Sequence, residues 1–551
     1  MRSHRPGGLA PGAAVPWGLV AIGILLVTGF DVVSATPLHD EWMYRWTLQH
    51  LTRTGQLRLW PQLQPLSLVQ LTLALPLAAA GVDPRLLRLT TVPLFLVGLV
   101  AVDRTARRLG AGRFWSAVAA GCLGCAPLVL QAQTGFLSDG TYLGILALSM
   151  WAGVRWLQTG RGLPLFIVLA LLGAAQRQVG LLVLAALMLT ALRRPRSSTA
   201  AVAGLVAALL VGAAGVLTIQ QLTGVNSGKL GAIVTGSLQH PPLGAPLGIL
   251  LAAAPLLGLL ALPMGAGLVL VTERRAHSTW RQRALVSVGL FSLLGAIGLA
   301  IKAGGGIFPG DTLGQWGLGP IERMNLEGKA SPFPVPVYLL IEVAAVAAGS
   351  ALAVWRIGDW SGIGPGKVPT FVAIVALGQS LPMLVVGVGD RYYIPVFVAL
   401  LPGIAALASG QVSGPHRGAN RELGARLFAV AGLVAGLLVY AAGQADYISW
   451  HIARDQAADI ARRGIDTMQV DGRDEDFATH IVVPYYDRHG TFPPNLTANG
   501  EALLSPRRVV EFAAASDPRP GVTYGTWTRG KVIVRCLPGS PPCPQGVQLG
   551  R

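Results

Sequence analysis

Long apolar runs recur along almost the whole chain and are separated by short polar segments. A bilayer core about 30 Å thick is crossed by roughly 20 apolar residues in helical conformation. The first run is too long for a typical secretory signal and has no persuasive cleavage site, so we interpret it as a retained anchor. In total the pattern predicts thirteen spans, at residues 16–35, 88–103, 113–131, 139–157, 163–175, 179–192, 198–220, 246–271, 284–303, 336–356, 368–388, 392–409 and 427–443.

Two segments of the first outer loop, residues 36–87, have a different pattern. Trp42–Leu51 is amphipathic and predicts a helix along the membrane interface. Pro65–Gly81 is apolar but short and is interrupted by Pro76. We predict an interfacial helix here, because a further span would place the arginines of every later inner loop outside.

Composition and charge agree with a membrane protein. Hydrophobic residues make up 52% of the 551 residues and charged residues only 13%, which excludes a disordered chain and a typical soluble enzyme. The net charge of +17 would also suit a nucleic-acid partner. However, many arginines fall in the short loops that this topology places inside, as the positive-inside rule requires. We therefore expect no nucleic-acid partner and a cytoplasmic N-terminus, and the bias toward Ala, Gly, Arg and Leu favours a bacterial plasma membrane. These inner-loop basic residues are Arg104, Arg107, Arg108, Arg113, Arg161, Arg193, Arg194, Arg196, Arg274, Arg275, Arg281, Arg283, Arg356, Lys367, Arg417, Arg421 and Arg426.

The last part of the chain is more polar. We predict a transmembrane domain over residues 1–443 and a small extracytoplasmic α/β domain over residues 444–551, with strands at His480–Tyr486 and Gly530–Cys536 and a helix at Ser505–Ala515.

The four cysteines form two pairs in the sequence. Cys122 and Cys125 have a spacing that also occurs in redox and zinc pairs, but in an apolar span we expect them to pack as small apolar side chains. Cys536 and Cys543 lie in the predicted outer domain, where an oxidising compartment would permit a disulfide.

Four polar clusters fall at the predicted outer face, and they come from distant parts of the chain. Acids and arginines at such positions can be solvated helix ends or interfacial anchors. Together they also offer a base and cations that could hold a phosphate, a combination that suggests group transfer from an anionic lipid. The clusters contain His39, Asp40, Glu41 and Tyr44; Asp139; Gln176, Arg177 and Gln178; and Asp390, Arg391, Tyr392 and Tyr393.

The order of these motifs resembles the GT-C fold glycosyltransferases. The acidic pair in His39–Tyr44, the Arg107–Gly110 inner loop and the Arg391–Pro395 element are similar to the branch that contains protein O-mannosyltransferases and lipid A aminoarabinose transferases. The resemblance is clearest over residues 15–195 and 389–397. It implies a helical membrane bundle that transfers a sugar from a polyprenyl-phosphate donor to a glycan, lipid or protein acceptor, with inversion.

The resemblance also implies roles for individual residues. Asp40 would be the base, Glu41 a supporting acid and Asp139 an orienting acid. Arg391 and Arg177, with Tyr392 beside them, are our candidates for holding the donor phosphate. Related enzymes differ in metal use, and we expect no metal or other cofactor here.

A transporter or flippase of a polyprenyl-linked lipid is the alternative function. Transporter sites typically have midplane charges and broken helices. The polar clusters here lie instead at one face, which favours chemistry at the membrane surface.

Overall fold

A computed structural model of the chain describes residues 11–33, 40–61, 63, 66–193, 199–223, 256, 258–264, 340, 343, 345, 368–381, 390–412, 419–463, 470–471, 480, 482–489, 508–514, 518–519, 521–524 and 530–536. The described part is mainly helical. Its helices are α1 (Pro11–Val33), α2 (Glu41–Thr54), α3 (Leu68–Ala79), α4 (Pro84–Leu87), α5 (Val92–Arg108), α6 (Arg113–Gly124), α7 (Pro127–Gln133), α8 (Ser138–Thr159), α9 (Leu163–Gln176), α10 (Leu181–Leu192), α11 (Thr199–Thr223), α12 (Val368–Ser380), α13 (Ile394–Val412), α14 (Ala419–Arg462) and α15 (Val483–His489). Single 3₁₀ turns lie at Arg88–Thr90, Gln178–Gly180 and Asp390–Tyr393.

The chain is an integral membrane protein by the length and composition of its helices. In the described part, five helices are long and apolar enough to cross a membrane, or six if the bent pair α6–α7 is one span. α9, α10 and α12 are apolar but shorter. The predicted spans at 246–271, 284–303 and 336–356 lie largely outside the described residues, so the total of thirteen stays a prediction.

Two predicted spans differ from the helices. Residues 113–131 form two helices, α6 and α7, which meet at an angle of 58°. The break precedes Pro127, where Ala126 is extended, because a proline disfavours helical conformation in the residue before it. The last span continues well beyond residue 443, since α14 has 44 residues and meets no proline or glycine between Gln444 and Arg463.

The two helices predicted in the first outer loop are present, and their position at the membrane interface stays a prediction. The amphipathic segment is the 14-residue helix α2, whose buried residues include Tyr44 and Leu48 on one face and Trp46 on another. The apolar segment is the 12-residue helix α3, which contains Pro76 and is too short to cross a bilayer.

The residues after α14 contain a four-stranded sheet in the order β1-β2-β4-β3. β2 and β3 both pair antiparallel with β4, and β1 pairs parallel with β2. Apolar strand residues pack on the end of α14 around Tyr447 and Trp450, so the predicted domain boundary falls inside a continuous helix. The strands are β1 (Val470–Asp471), β2 (Arg508–Ala514), β3 (Gly521–Tyr524) and β4 (Gly530–Cys536).

The sequence-based assignments in this region are only partly correct. The strand at Gly530–Cys536 is confirmed. The predicted helix at 505–515 is wrong, because its Val509 and Val510 pair with Arg535 and Val534 of β4 in a strand. The predicted strand at 480–486 is also wrong: the helix α15 begins at Val483, and Pro484 suits the first turn of a helix, where no backbone N–H is needed.

Candidate active site at one end of the helix bundle

Four chain segments bring charged side chains to the same end of the bundle. They are the start of α2, the start of α8, the junction between α9 and α10, and the 3₁₀ turn before α13. Each is a helix end, where the chain direction changes and a polar side chain can leave the apolar bundle. The junction is formed because α9 ends at Gln176 and Arg177 is extended, with φ −143° and ψ 131°.

Asp40 occupies the N-cap position of α2, but its carboxylate does not cap the helix. Its backbone carbonyl accepts a hydrogen bond of 3.0 Å from the Met43 N–H. The carboxylate is 42% exposed, and Arg391 Nη1 lies 3.6 Å from its Oδ2. This carboxylate therefore lies beside a cation and is partly accessible to a substrate.

Asp139, in the first turn of α8, forms the second acid–arginine pair. Arg177 Nη2 lies 2.8 Å from Asp139 Oδ1, and both side chains are largely buried. The same guanidinium donates to Ser138 Oγ from Nε at 3.2 Å and from Nη2 at 3.0 Å. Ser138 Oγ also accepts the Tyr44 hydroxyl at 3.0 Å, so this pair is fixed to α2.

Tyr44 connects the two acid–arginine pairs. Burial raises its pKa to about 12, so the hydroxyl stays protonated and can donate to Ser138 at neutral pH. Arg177 opposes this shift, while Asp40 and Asp139 both add to it, so all three charges act on one phenol. The Tyr44–Ser138 bond joins the start of α2, which carries Asp40, to the start of α8, which carries Asp139. With the contacts of Arg391 and Arg177, the four charged residues lie on one side of the bundle, as the sequence predicts from topology.

Glu41 lies elsewhere, although it is the next residue after Asp40. Its side chain is fully buried, and its carboxylate binds two guanidinium groups. Arg45 Nη2 lies 2.6 Å from Oε1, and Arg88 Nη2 lies 2.9 Å from Oε2. The predicted role of a supporting acid fits this environment poorly, because both oxygens already bind buried cations; a positioning role fits it better.

Arg88 extends this buried cluster toward the start of α8. Its Nη1 donates to the backbone oxygen of Asp31 at 2.7 Å, and Asp31 Oδ1 accepts the Gly135 N–H at 2.7 Å. Sequence reasoning missed Asp31, Arg45 and Arg88. An acid inside the first apolar run was the available signal, because ionisable residues within spans are rare and usually paired.

The other predicted site residues have varied positions. Gln176 is buried and structural: its Nε2 donates to the Ser138 carbonyl at 3.2 Å and its Oε1 accepts the Gln70 N–H at 3.1 Å. Gln178 is half-buried, and Tyr392 lies under the Arg391 guanidinium, 5.4 Å from ring centroid to Cζ. His39 and the side chain of Asp390 lie outside the described part.

The described residues bear differently on the metal and cysteine expectations. In the described part of the chain, no three His, Cys, Asp or Glu residues form a group that could hold a metal ion, and the absence of a metal stays a prediction. Cys122 and Cys125 are free and buried. Cys536 is disulfide-bonded, whereas Cys543 lies outside the described residues.

No family model and no curated protein matches this chain. It is similar to the solved structure of ArnT from Cupriavidus metallidurans bound to undecaprenyl phosphate, with a TM-score of 0.41 and 14% identity over 97% of this chain and 100% of that chain. The apo state of the same ArnT gives a TM-score of 0.31 and 16% identity over 96% of this chain and 100% of that chain.

An oligosaccharyltransferase from Archaeoglobus fulgidus, tethered with an acceptor peptide, gives a TM-score of 0.35 and 12% identity over 82% of this chain and 58% of that chain. These proteins are glycosyltransferases of the GT-C fold, the class that the sequence resembles. Similarities this distant assign no activity to the present chain, so its function is argued from the contacts described above.

Proposed function

We propose that this protein is an inverting glycosyltransferase that moves a sugar from a polyprenyl-phosphate carrier to an acceptor hydroxyl at the outer face of the membrane. The observation that carries the proposal is the exposed Asp40 carboxylate beside Arg391, with the Asp139–Arg177 pair on the same side of the bundle. A base and two cations around one surface suit the departure of a phosphate group.

Asp40 serves as the general base of this reaction. The acceptor oxygen attacks the anomeric carbon of the donor sugar, the bond from that carbon to the phosphate oxygen breaks, and the hydroxyl proton passes to Asp40. A carboxylate is a sufficient base here, because the proton is lost as the new bond forms and the phosphate leaves without needing a strong acid.

Arg391 and Arg177 supply the positive charge for the phosphate. A guanidinium binds phosphate oxygens with two parallel hydrogen bonds and keeps its charge at any physiological pH. Arg391 Nη1 lies 3.6 Å from Asp40 Oδ2, a longer contact than that of Arg177 with Asp139 at 2.8 Å, so we assign the direct phosphate contact to Arg391. Arg177 is held more firmly by Ser138 and Asp139, so it positions the site, and Asp139 orients the acceptor or the sugar.

The test is the Asp40→Asn variant with a competent polyprenyl-phosphate sugar donor. Transfer should be abolished while insertion into the membrane and thermal unfolding stay unchanged. Asp83→Asn is the matched control, because Asp83 is also an exposed N-cap aspartate of the first outer loop and contacts an arginine, Arg85 at 2.6 Å. Unchanged turnover in Asp40→Asn would overturn the proposal.

The same preparation separates transfer from transport. If the protein only moved the carrier lipid, vesicles would show translocation without any new glycosidic bond. The sugar would then stay on its phosphate with the native protein and with Asp40→Asn alike. Release of the free polyprenyl phosphate together with glycosylated acceptor is the result expected of the enzyme.

A further inference from the structure

We propose that the protein binds the headgroup of an anionic phospholipid in a groove between α5 and α8, at the end of the bundle opposite the candidate active site. α8 begins beside that site at Ser138 and runs for 22 residues to Thr159. At a rise of about 1.5 Å per residue its other end lies roughly 30 Å away. α5 ends at Arg108 and packs along α8, so its end lies at the same level.

Two arginines share one tryptophan in this groove. The Cζ atom of Arg155 lies 5.5 Å from the centroid of Trp151, and that of Arg108 lies 6.0 Å from it. Within the described part of the chain, neither guanidinium has a carboxylate at ion-pair distance. Two like charges held against one ring repel each other unless an anion lies between them.

The neighbouring Arg107, at the same end of the bundle, has its charge balanced by a carboxylate. Arg107 Nη2 lies 3.0 Å from Asp103 Oδ2, and its Nε donates to Ser116 Oγ at 3.1 Å. Arg108, by contrast, contacts the neutral amide of Gln158, with Nη1 3.5 Å from Oε1. Among the described residues, Asp103 balances the charge of Arg107, whereas no carboxylate balances Arg108 or Arg155.

The ends of the two helices do not account for this pair. A helix C-terminus carries a negative partial charge of about half a unit, which favours nearby cations. Here, however, Gln158 Nε2 donates to the Arg108 carbonyl at 2.9 Å, and the Gly160 N–H donates to the Trp156 carbonyl at 2.8 Å. An amide and a backbone N–H thus satisfy these carbonyls, and the guanidinium groups stay available for a ligand.

The surface next to the arginines indicates a lipid as the source of the anion. Val97 is 48% exposed and Val100 is 44% exposed, and Arg104 is exposed as well. Spacings of three and four residues place all three on one face of α5, in line with Arg108. An acyl chain can lie along the valines while the phosphate reaches the guanidinium groups. A free phosphate would gain nothing from the apolar part of this face.

The chemistry of the groove also fits a phosphodiester. Guanidinium groups bind phosphate oxygens bidentately, and tryptophan is enriched at the level of lipid headgroups. Basic pockets between membrane helices are a known way to recognise anionic headgroups. The occupant that this groove selects is therefore a glycerophospholipid with a net negative charge.

The experiment measures binding of phosphatidylglycerol to the full chain in detergent by native mass spectrometry, with phosphatidylcholine as the neutral comparison. Arg155→Gln should weaken phosphatidylglycerol binding about fivefold, and Arg155→Gln with Arg108→Gln more than about tenfold. Arg161→Gln is the matched control. Arg161 is an exposed arginine just after α8, so this substitution removes the same charge outside the groove. It should change the affinity less than about twofold.

The outcomes separate a built site from general surface charge. An equal loss in Arg155→Gln and Arg161→Gln would overturn the proposal, as would no loss in either variant. If added inorganic phosphate displaced bound phosphatidylglycerol, the groove would recognise the phosphate alone. That result would overturn the lipid assignment. The unfolding temperature of each variant shows whether misfolding is the cause, and we expect little change in Arg155→Gln, because the Arg155 guanidinium makes no hydrogen bond within the described part.

Discussion

Asp40 and Glu41 are consecutive acids, yet their surroundings differ completely. The Asp40 side chain is 42% exposed, and Arg391 lies 3.6 Å from it. Glu41 is fully buried between Arg45 and Arg88, with contacts of 2.6 and 2.9 Å. A buried carboxylate bound on both oxygens cannot easily accept a proton or release its partners, whereas an accessible one can.

This difference gives the two acids separate tasks. Glu41 anchors the first turn of α2 to Arg88, and Arg88 in turn binds the end of α1 through the Asp31 carbonyl. The anchored turn carries Asp40 at its start. A rigid support directly behind a reactive group is what holds that group in a productive geometry. We therefore expect Glu41 to determine stability and Asp40 to determine rate.

The largest expected effect tests the anchor. Glu41→Ala leaves two buried guanidinium groups without their shared carboxylate, and breaking a buried ion pair in this way costs about 3–5 kcal/mol. Asp40→Ala should cost less, about 1 kcal/mol, because 42% of the Asp40 side chain is exposed and its contact with Arg391 is long. Thermal unfolding of the purified full chain, followed by loss of helical signal, measures both.

A double-mutant cycle shows whether Glu41 acts through Arg88. If the two residues form one unit, Glu41→Gln with Arg88→Gln should cost clearly less than the sum of the single variants. Additive costs, or equal destabilisation by Asp40→Ala and Glu41→Ala, would contradict the division of tasks between the two acids.

The next largest effect concerns the Asp40–Arg391 pair. Arg391→Ala should weaken binding of the polyprenyl-phosphate donor by about 1.5–3 kcal/mol, the range for hydrogen bonds to charged groups, which is roughly ten- to hundredfold in affinity. Titration calorimetry on the full chain measures the dissociation constant. Arg391→Lys should recover only part of the loss, because lysine keeps the charge but not the planar fork.

Arg85→Ala is the control for this prediction. Arg85 also pairs with an exposed aspartate, Asp83, and 40% of its side chain is exposed. Arg85 lies in the first outer loop and contacts none of the candidate site residues in the described part. Equal donor affinity in Arg391→Ala and the native protein would remove Arg391 from the phosphate site.

The position of the site could be predicted from the sequence because membrane topology is a strong constraint. Consecutive spans cross the membrane in opposite directions, so loops separated by an even number of spans lie on the same face. Counting spans in this way assigns Asp139, Arg177 and Arg391 to one face. Charges are scarce in this chain, and the few at that face were therefore prominent. Counting spans requires no knowledge of which helices are neighbours.

The depth of each side chain could not be predicted in the same way. Sequence spacing assigns Asp40 and Glu41 to one helix end, but only the packing of α1 and of the turn at Arg88–Thr90 against α2 decides that Glu41 is buried. The same limit explains the errors after α14. β2 is a strand because it pairs with β4, and this partner lies about twenty residues away in the sequence.

The smallest expected effect concerns Tyr44, which lies between the two acid–arginine pairs. Tyr44→Phe removes the hydroxyl that donates to Ser138 at 3.0 Å, while the ring can still pack against Phe136. The loss should cost about 0.5–1.5 kcal/mol of stability, typical of one hydrogen bond. Because Ser138 also binds Arg177, the transfer rate should fall several-fold.

Tyr486→Phe is the control for Tyr44→Phe. It also removes one tyrosine hydroxyl, which accepts a 2.7 Å hydrogen bond from Arg58 Nη2, but it leaves Ser138 unchanged. Burial raises the pKa of Tyr44 to about 12, so the ratio of variant to native rates should stay constant from neutral to mildly alkaline pH. If Tyr44→Phe slows transfer no more than Tyr486→Phe does, Tyr44 contributes only packing, and the two acid–arginine pairs act independently.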